Sequence, residues 1–342
     1  MEKRFLTLGI ETSCDETSAA VLEGPHTLLS NVVASQEKIH ARFGGVVPEI
    51  AARKHVEAIN HIIAAALEEA GAEFGDIDLI AVTTGPGLAV SLLVGISAAR
   101  ALSHSLGVPA VGVSHLEGHL LANCVGGAGA DFPAVCLLVS GGHTEIIYVA
   151  GMGDYEPIGS TVDDAAGEAF DKVARALGLG YPGGPAIQRA AAAGDPKKIS
   201  FPRPMLRENN FNFSFSGLKT AVINHIRVNG LAASGEDGAS AEDVAAAFQE
   251  AVADVLTEKT LRAAEDRGAR DVWLGGGVAA NKRLRERLRE EALRRGFGFF
   301  SPPMALCTDN AGMIAKAGYE IYSRGGALPG LLANPSMGLK SG

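Results

Sequence analysis

Short apolar runs rich in Val, Ile and Leu alternate along the chain with longer stretches of three- and four-residue periodicity. That is the signature of an α/β fold whose strands are covered on both faces. The runs predict strands at Phe5–Ile10, Ala19–Leu22, Leu28–Ala34, Leu79–Thr83, Ala110–Val113, Ala134–Val139, Glu145–Val149 and Asp271–Leu274. Between Ser240 and Glu265, Val244, Phe248, Ala251, Val252 and Val255 recur at helical steps behind a Ser240…Asp243 cap. The most apolar long stretch, Leu88 to Val108, is interrupted by Arg100 and His104 and closed by Gly107 and Pro109, which predicts a buried helix and not a membrane span.

The pattern also contains a weak internal echo. Leu8-Gly9-Ile10-Glu11-Thr12-Ser13, a turn and Ser18–Leu22 have the layout of Leu138-Val139-Ser140-Gly141-Gly142-His143-Thr144 followed by Glu145–Val149. Each is a strand, a polar small-residue turn and a returning strand, and such a turn exposes backbone N–H groups that can cradle phosphate. The alternative is two unrelated hairpins.

Composition narrows the classes. At 342 residues, 47% of them hydrophobic and 20% charged, the chain has the size of two domains and is not disordered. A net charge of −9 argues against a generic nucleic-acid binder, which needs Lys and Arg against phosphate. Cys14, Cys124, Cys136 and Cys307 form no CxxC pair, so neither a disulfide framework nor a cysteine zinc site is indicated, and a reducing, cytoplasmic setting is expected. Phe5–Ile10 is too short an apolar run for a signal peptide.

Three places carry candidate chemistry. Ser114-His115-Leu116-Glu117-Gly118-His119 reads as a helix start with Ser114 and Glu117 as a capping box, which puts His115 and His119 four apart on one face, a spacing for two imidazoles on one metal. The order His-Glu-x-x-His of metallopeptidases is absent, because Leu116 stands where their base would be, and the pair can equally be two ordinary histidines. Asp309, in Cys307-Thr308-Asp309-Asn310, either caps the following helix or supplies the carboxylate of a two-His, one-carboxylate site with open positions. Gly275-Gly276-Gly277, with Asn281 after it, suits close approach of backbone to a purine or phosphate, or else a tight strand-to-helix turn. Tyr181-Pro182-Gly183-Gly184-Pro185 and Asp171-Lys172 are candidates for the same ligand, with Asp171 as an acceptor for ribose hydroxyls, or are a solvated loop and a salt-bridged face.

Taken in order, Gly9-Ile10-Glu11-Thr12-Ser13-Cys14-Asp15-Glu16-Thr17, Gly44-Gly45-Val46-Val47-Pro48-Glu49, Thr84-Gly85-Pro86-Gly87-Leu88, His115…His119, Val139-Ser140-Gly141-Gly142-His143-Thr144, Gly275–Asn281 and Thr308-Asp309-Asn310 resemble the TsaD family of tRNA adenosine threonylcarbamoyltransferases, once described as glycoproteases. The resemblance runs from about residue 5 to about residue 325. It implies an α/β, two-lobed actin-like fold with duplicated β-sheet subdomains and a nucleotide between the lobes: an N-terminal lobe over 1–132, a C-terminal lobe over 133–309, a helix at 310–325 returning to the first, and a tail at 326–342. It implies transfer of the threonylcarbamoyl group from threonylcarbamoyl-adenylate to the exocyclic amine of the adenosine beside the anticodon, in tRNAs reading codons that begin with A, with release of AMP. Carried over by motif, His115, His119 and Asp309 would bind one divalent metal, iron or zinc. Leu138, Val139, Ser140, Gly141, Gly142, Asp171, Gly184 and Asn281 would bind the adenylate, or ATP, ADP or AMP, beside Gly275 and Gly276. Asp15 is the candidate for guiding the amine's proton away, with a solvated turn carboxylate as the alternative. The partners implied are the tRNA anticodon loop, a dimerising TsaB-like paralogue and a small TsaE-like ATPase, with no membrane. For tRNA phosphates the sequence offers Arg53-Lys54-His55, and Lys282, Arg283, Arg285, Arg287 and Arg289 on a helix that also carries Glu286, Glu290 and Glu291. The competing classes are a kinase or ATPase on the same fold and a non-catalytic scaffold, neither of which calls for the His115, His119 and Asp309 set.

Overall fold

The computed structural model describes residues 4–127, 131–232, 238–325 and 328–339. The chain forms two compact units, Met1–Ala130 with Pro302–Gly342 and Asp131–Ser301. The return to the first unit therefore starts at Pro302, ahead of the boundary expected at 309, because the segment leading to the last helix already leaves the second unit after its final strand.

In chain order the first unit contains β1 (Leu6–Glu11), β2 (Glu16–Glu23), β3 (Thr27–Ser35), α1 (Glu37–His40), α2 (Pro48–Ala70), β4 (Ile77–Gly85), α3 (Ala89–Leu106), β5 (Ala110–Ser114) and α4 (His115–Leu121). The second contains β6 (Ala134–Val139), β7 (Thr144–Gly151), β8 (Asp154–Ser160), α5 (Ala166–Ala176), α6 (Gly183–Ala191), α7 (Ser216–Asn229), α8 (Ala241–Asp266), β9 (Asp271–Gly275), α9 (Lys282–Arg294) and β10 (Gly298–Phe300). The chain then returns as α10 (Ala311–Ser323).

The echo in the sequence is an architectural repeat. One sheet has the order β3-β2-β1-β4-β5 and the other, read from its opposite edge, β8-β7-β6-β9-β10. In each, an antiparallel hairpin is extended by two parallel strands: Leu8 pairs with Val21 and Ile80 in the first, and Cys136 with Ile147 and Trp273 in the second. The central strands β1, β6 and β9 are buried along their whole length, as both-face coverage requires.

Alternation along β1 decides what covers it. Leu6, Leu8 and Ile10 enter a core built with Ile59, Ile63 and Leu67 of α2 and Leu92, Ile96 and Ala99 of α3. The opposite face meets α10, and a Cβ on Gly9 would collide with the Ala311 carbonyl, so this motif glycine is explained by helix packing. The Leu88–Val108 stretch forms α3 as expected, buried on Ser91, Leu92, Gly95, Ile96 and Ala99 but open at Val90 and Leu93, and it is the one described helix long and apolar enough to span a membrane. The predicted Ser240 cap is realised: Ser240 Oγ accepts from Asp243 N at 3.2 Å while Asp243 Oδ2 accepts from Ser240 N at 3.0 Å. Strands β8 and β10 have no counterpart among the predicted runs, since β8 is an edge strand with charged residues and Pro157, and β10 is only three residues long.

Candidate functional site

Strand β5 ends at Ser114 and α4 begins at His115, so the register of one strand sets both imidazoles. The rings of His115 and His119 stand 4.6 Å apart and nearly perpendicular. Asp309 arrives from immediately before α10, and its Oδ1 lies 3.3 Å from His115 Nε2 and 3.1 Å from His119 Nε2. One ligand atom from each of the three falls within 4.8 Å of the others. Two local expectations fail here. The Ser114/Glu117 capping box does not form: Ser114 makes no capping bond, and its buried hydroxyl has no hydrogen-bond partner among the described residues. Asp309 is not a helix cap either, because the neighbouring Asn310 takes that place by accepting from Met313 N at 3.0 Å, which leaves the carboxylate to the histidines.

His115 is oriented from behind by residues to which the sequence reading gave no role, whereas the buried Nδ1 of His119 has no hydrogen-bond partner among the described residues. Glu11, at the end of β1 and wholly buried, places Oε2 2.9 Å from His115 Nδ1 and accepts on the same atom from Thr83 Oγ1 at 2.6 Å. Its Oε1 accepts from Ser13 N at 2.5 Å, and Ser13 Oγ lies 3.2 Å from His115 Nδ1. A carboxylate on Nδ1 keeps the proton there and turns Nε2 toward Asp309, the arrangement that readies a histidine for a metal. Burial alone would raise the Asp309 carboxyl and lower His115, yet the pair overrides it: the histidines hold Asp309 far below the usual carboxylate range, and Asp309 with Glu11 lifts His115 well above its ordinary value. His119 is lowered by burial and by its neighbour His115. A polar strand end such as Glu11, charged within an apolar run, is the signal that could have revealed this support.

Asp15 sits half-buried in the β1–β2 turn, where its carbonyl accepts from Gln36 N at 3.1 Å. Buried His55 of α2 fastens this turn, with Nε2 3.0 Å from the Cys14 carbonyl and Nδ1 2.8 Å from Thr17 Oγ1. Burial, then the charges of Asp309 and Asp15, push the Glu16 carboxyl up to about 9.

The residues expected to hold the adenylate all lie in the second unit: Leu138–Gly142, Gly275, Gly276 and Asn281 at or just beyond the C-terminal ends of parallel strands β6 and β9, where Leu138 pairs with Gly275, and Asp171 and Gly184 on α5 and α6. Leu138 and Val139 are themselves buried in β6. Ser140 closes the β6–β7 turn, its N–H donating to His143 O at 2.8 Å, and its carbonyl receives Gly167 N of α5 at 3.3 Å. Gly141 and Gly142 at the exposed tip, Gly184 in the first turn of α6 and Gly277 after β9 would each have open space around an added Cβ. Gly276 differs: its φ is +87° and a Cβ would strike the Val139 carbonyl, so an internal contact already requires glycine there. Asp171 Oδ1 accepts from Gly183 N at 2.7 Å, which secures the start of α6, and burial raises its carboxyl. Asn281 caps α9 by accepting from Leu284 N at 3.0 Å and donates to Gln249 Oε1 at 2.8 Å.

Most of both basic clusters is drawn into internal contacts, while Arg53 and Arg289 are exposed and form no ion pair among the described residues. In the first, His55 is fully buried and Lys54 is paired with Glu57 at 2.6 Å. In the second, Arg283 and Arg287 grip Glu250 at 2.6 and 2.5 Å, and Arg285 donates to Ser301 and the Ala279 carbonyl. Acids on α8 draw these arginines inward.

Comparison with known proteins follows the same lines. Residues 27–316 match the TsaD family, described as tRNA N6-adenosine threonylcarbamoyltransferase. The tRNA N6-adenosine threonylcarbamoyltransferase of Desulfitobacterium hafniense (strain Y51) is 54% identical over 315 residues, 92% of either chain, and that of Bacillus subtilis (strain 168) is 52% identical over 325 residues, 95% of this chain and 92% of the relative. Among solved structures, full-length HypF in a phosphate- and nucleotide-bound form superposes with a TM-score of 0.63 at 15% identity, covering 95% of this chain and 47% of HypF. The Acidaminococcus fermentans (R)-2-hydroxyglutaryl-CoA dehydratase component A gives 0.55 at 17%, covering 94% and 98%. At such identities these two speak for the fold alone, which is the actin-like α/β class with its repeated sheet. Sequence, sheet topology and the His115, His119 and Asp309 cluster agree, and the chain belongs to the TsaD family of tRNA N6-adenosine threonylcarbamoyltransferases.

Proposed function

We propose that the chain transfers the threonylcarbamoyl group of threonylcarbamoyl-adenylate to the N6 amine of the adenosine beside the anticodon, in tRNAs reading codons that begin with A. The observation that carries this reading is the convergence of His115, His119 and Asp309 with Glu11 behind them. The donor set fits a divalent ion: two imidazole Nε2 atoms and one carboxylate oxygen face a common point, a first shell that leaves positions for substrate. Iron or zinc held there would supply Lewis-acid polarisation of a phosphate or carbamoyl oxygen.

The rest of the chemistry falls to side chains and backbone of this chain. An adenine amine is a poor nucleophile, so the acyl group must come with a good leaving group, and the mixed anhydride of the adenylate provides one. The amine nitrogen bonds to the carbamoyl carbon, the bond to the phosphate oxygen breaks, and AMP departs with that electron pair. Backbone N–H groups of Gly141 and Gly142, at the exposed tip after Ser140, would stabilise the departing phosphate, while Asp171, Gly184, Gly275, Gly276 and Asn281 border the adenosine moiety. Gly276 and Asn281 do so by shaping the loop from within. Asp15, half-buried in the β1–β2 turn, accepts the amine's proton. The target base lies in a loop, where unstacking costs less than in a duplex.

A protein of net charge −9, with Arg283 and Arg287 held by Glu250, relies on others to hold tRNA. Val90 at 46% and Leu93 at 51% exposure, one turn apart on α3, offer an apolar surface suited to a TsaB-like paralogue, and a small TsaE-like ATPase completes the set. Such an enzyme works in the cytoplasm, where its tRNA is. The reading is tested by metal analysis of the purified chain together with mass spectrometry of tRNA nucleosides after addition of threonylcarbamoyl-adenylate and partners. Threonylcarbamoyladenosine should appear in the parent and be lost in His119→Ala. Release of ADP from ATP with no modified nucleoside would favour a kinase or ATPase.

A further inference from the structure

The described C-terminal residues 328–339 do not hang free. Their backbone is bonded to the ends of the two strands that lead to the candidate metal centre. The Pro329 carbonyl accepts from Gly112 N at 3.1 Å, Asn334 N donates to the Thr84 carbonyl at 2.7 Å, and the Pro335 carbonyl accepts from Gly87 N at 3.2 Å. The Arg100 guanidinium donates to the Leu331 carbonyl, and Leu331 and Ala333 pack on the core between α2, α3 and the sheet. Two glycines of the sheet make room for this strap: a Cβ at Gly112 would lie 2.7 Å from the Gly330 carbonyl, and one at Gly85 would strike that of Asn334.

From those anchor points a continuous series of contacts reaches His115. Leu88 N donates to the Ser13 carbonyl at 2.8 Å, and Gly87 packs on Ser13 so closely that a Cβ would lie 2.6 Å from its carbonyl oxygen. Ser13 in turn touches both Glu11 Oε1 and His115 Nδ1. The second anchored strand, β5, pairs Ser114 with Gly85, and His115 is the next residue. We infer that the segment from Pro329 to Met337 is a positioning element of the metal centre, which fixes the Thr84–Leu88 turn against Ser13 and thereby the His115 imidazole. The inference rests on the reading of His115, His119 and Asp309 as a metal site. It assigns a role to the tail, on which the sequence was silent.

The test is zinc affinity of the full-length chain, measured by chelator competition, with chemical unfolding of the metal-free protein alongside. Asn334→Pro removes the N–H that holds Thr84 and should weaken zinc binding about tenfold, the lower end for groups that orient a ligand histidine. Asn334→Ala keeps that N–H and should bind as the parent does. Leu256→Ala, in the core of the second unit and away from the tail, should lower the unfolding midpoint and leave zinc affinity in place, which separates positioning from loss of stability. Arg100→Ala, at an exposed residue, should weaken zinc roughly threefold by loosening one tail anchor. Parent-like zinc affinity in whichever of Asn334→Pro and Arg100→Ala unfolds cooperatively overturns the inference. Absence of stoichiometric zinc in the parent sinks the metal reading, and this inference with it.

Discussion

A buried carboxylate on β1 does as much to define the candidate centre as its ligands do. Glu11 is shared by Ser13 on one oxygen and by Thr83 and His115 on the other, so turning it into an amide removes the charge that faces His115 and puts a donor where at least one partner needs an acceptor. Glu11→Gln should therefore lower metal affinity about 10- to 100-fold while the chain still folds, as read by zinc titration and unfolding. At the same scale, the three consecutive glycines separate into different roles. Gly276→Ala meets both a positive φ and the Val139 carbonyl and should cost of order 1–3 kcal/mol, seen as a lower urea midpoint. Gly277→Ala enters open space, so stability should hold while calorimetry shows weaker adenine-nucleotide binding. A fall in nucleotide affinity for Gly276→Ala alone, with unchanged stability, would contradict this division.

At the scale of elements, α10 and α8 show how much of the fold was legible. The start of α10 could be read from Thr308-Asp309-Asn310, but which of two adjacent residues caps it could not, because both types cap well and only the approach of the histidines claims Asp309. Asn310→Ala should destabilise the first unit by about 1 kcal/mol in urea unfolding. Helix α8 was predicted almost to the residue, whereas its fully buried Lys259 was not foreseen. The ammonium donates to the Asn210 carbonyl at 3.0 Å, and burial followed by the nearby Arg262 lowers its pKa from 10.5 to about 8. Between those two values the unfolded chain keeps a proton that the folded chain has released. Stability from this group therefore rises with pH from about 8 toward 10.5, and Lys259→Met should lack that rise in a pH series of unfolding curves.

For the whole molecule, the repeated sheet and the charge balance matter most. Two copies of one strand order end in different residues, histidines after the last strand of one and glycine turns after the central strands of the other, so the repeat extends to the sheets and not to the candidate sites. The net charge of −9, with Arg283 and Arg287 bound to α8 acids, predicts that the chain alone binds tRNA only at nonspecific strength, roughly 10⁻⁴ to 10⁻⁶ M near physiological salt. Filter binding across a salt series should show tighter binding only once partners are added. Arg287→Glu should lower stability through Glu250 and Asp254 without changing the salt slope.

The sequence by itself determined eight of the ten strands, the long helices α3 and α8 and the hairpin echo, and it supplied the motifs of the candidate site, because periodicity and turn chemistry are local and the motifs are contiguous. Asp309 lies far along the chain from the two histidines, and only the return of α10 beneath β1 brings the three together. The same is true of Glu11, hidden as one polar position in an apolar strand, and of the tail, whose partners Thr84, Gly87 and Gly112 are all distant in sequence. Pairings of this kind depend on which faces are pressed together. Tertiary packing decides that, and no window of the sequence contains it.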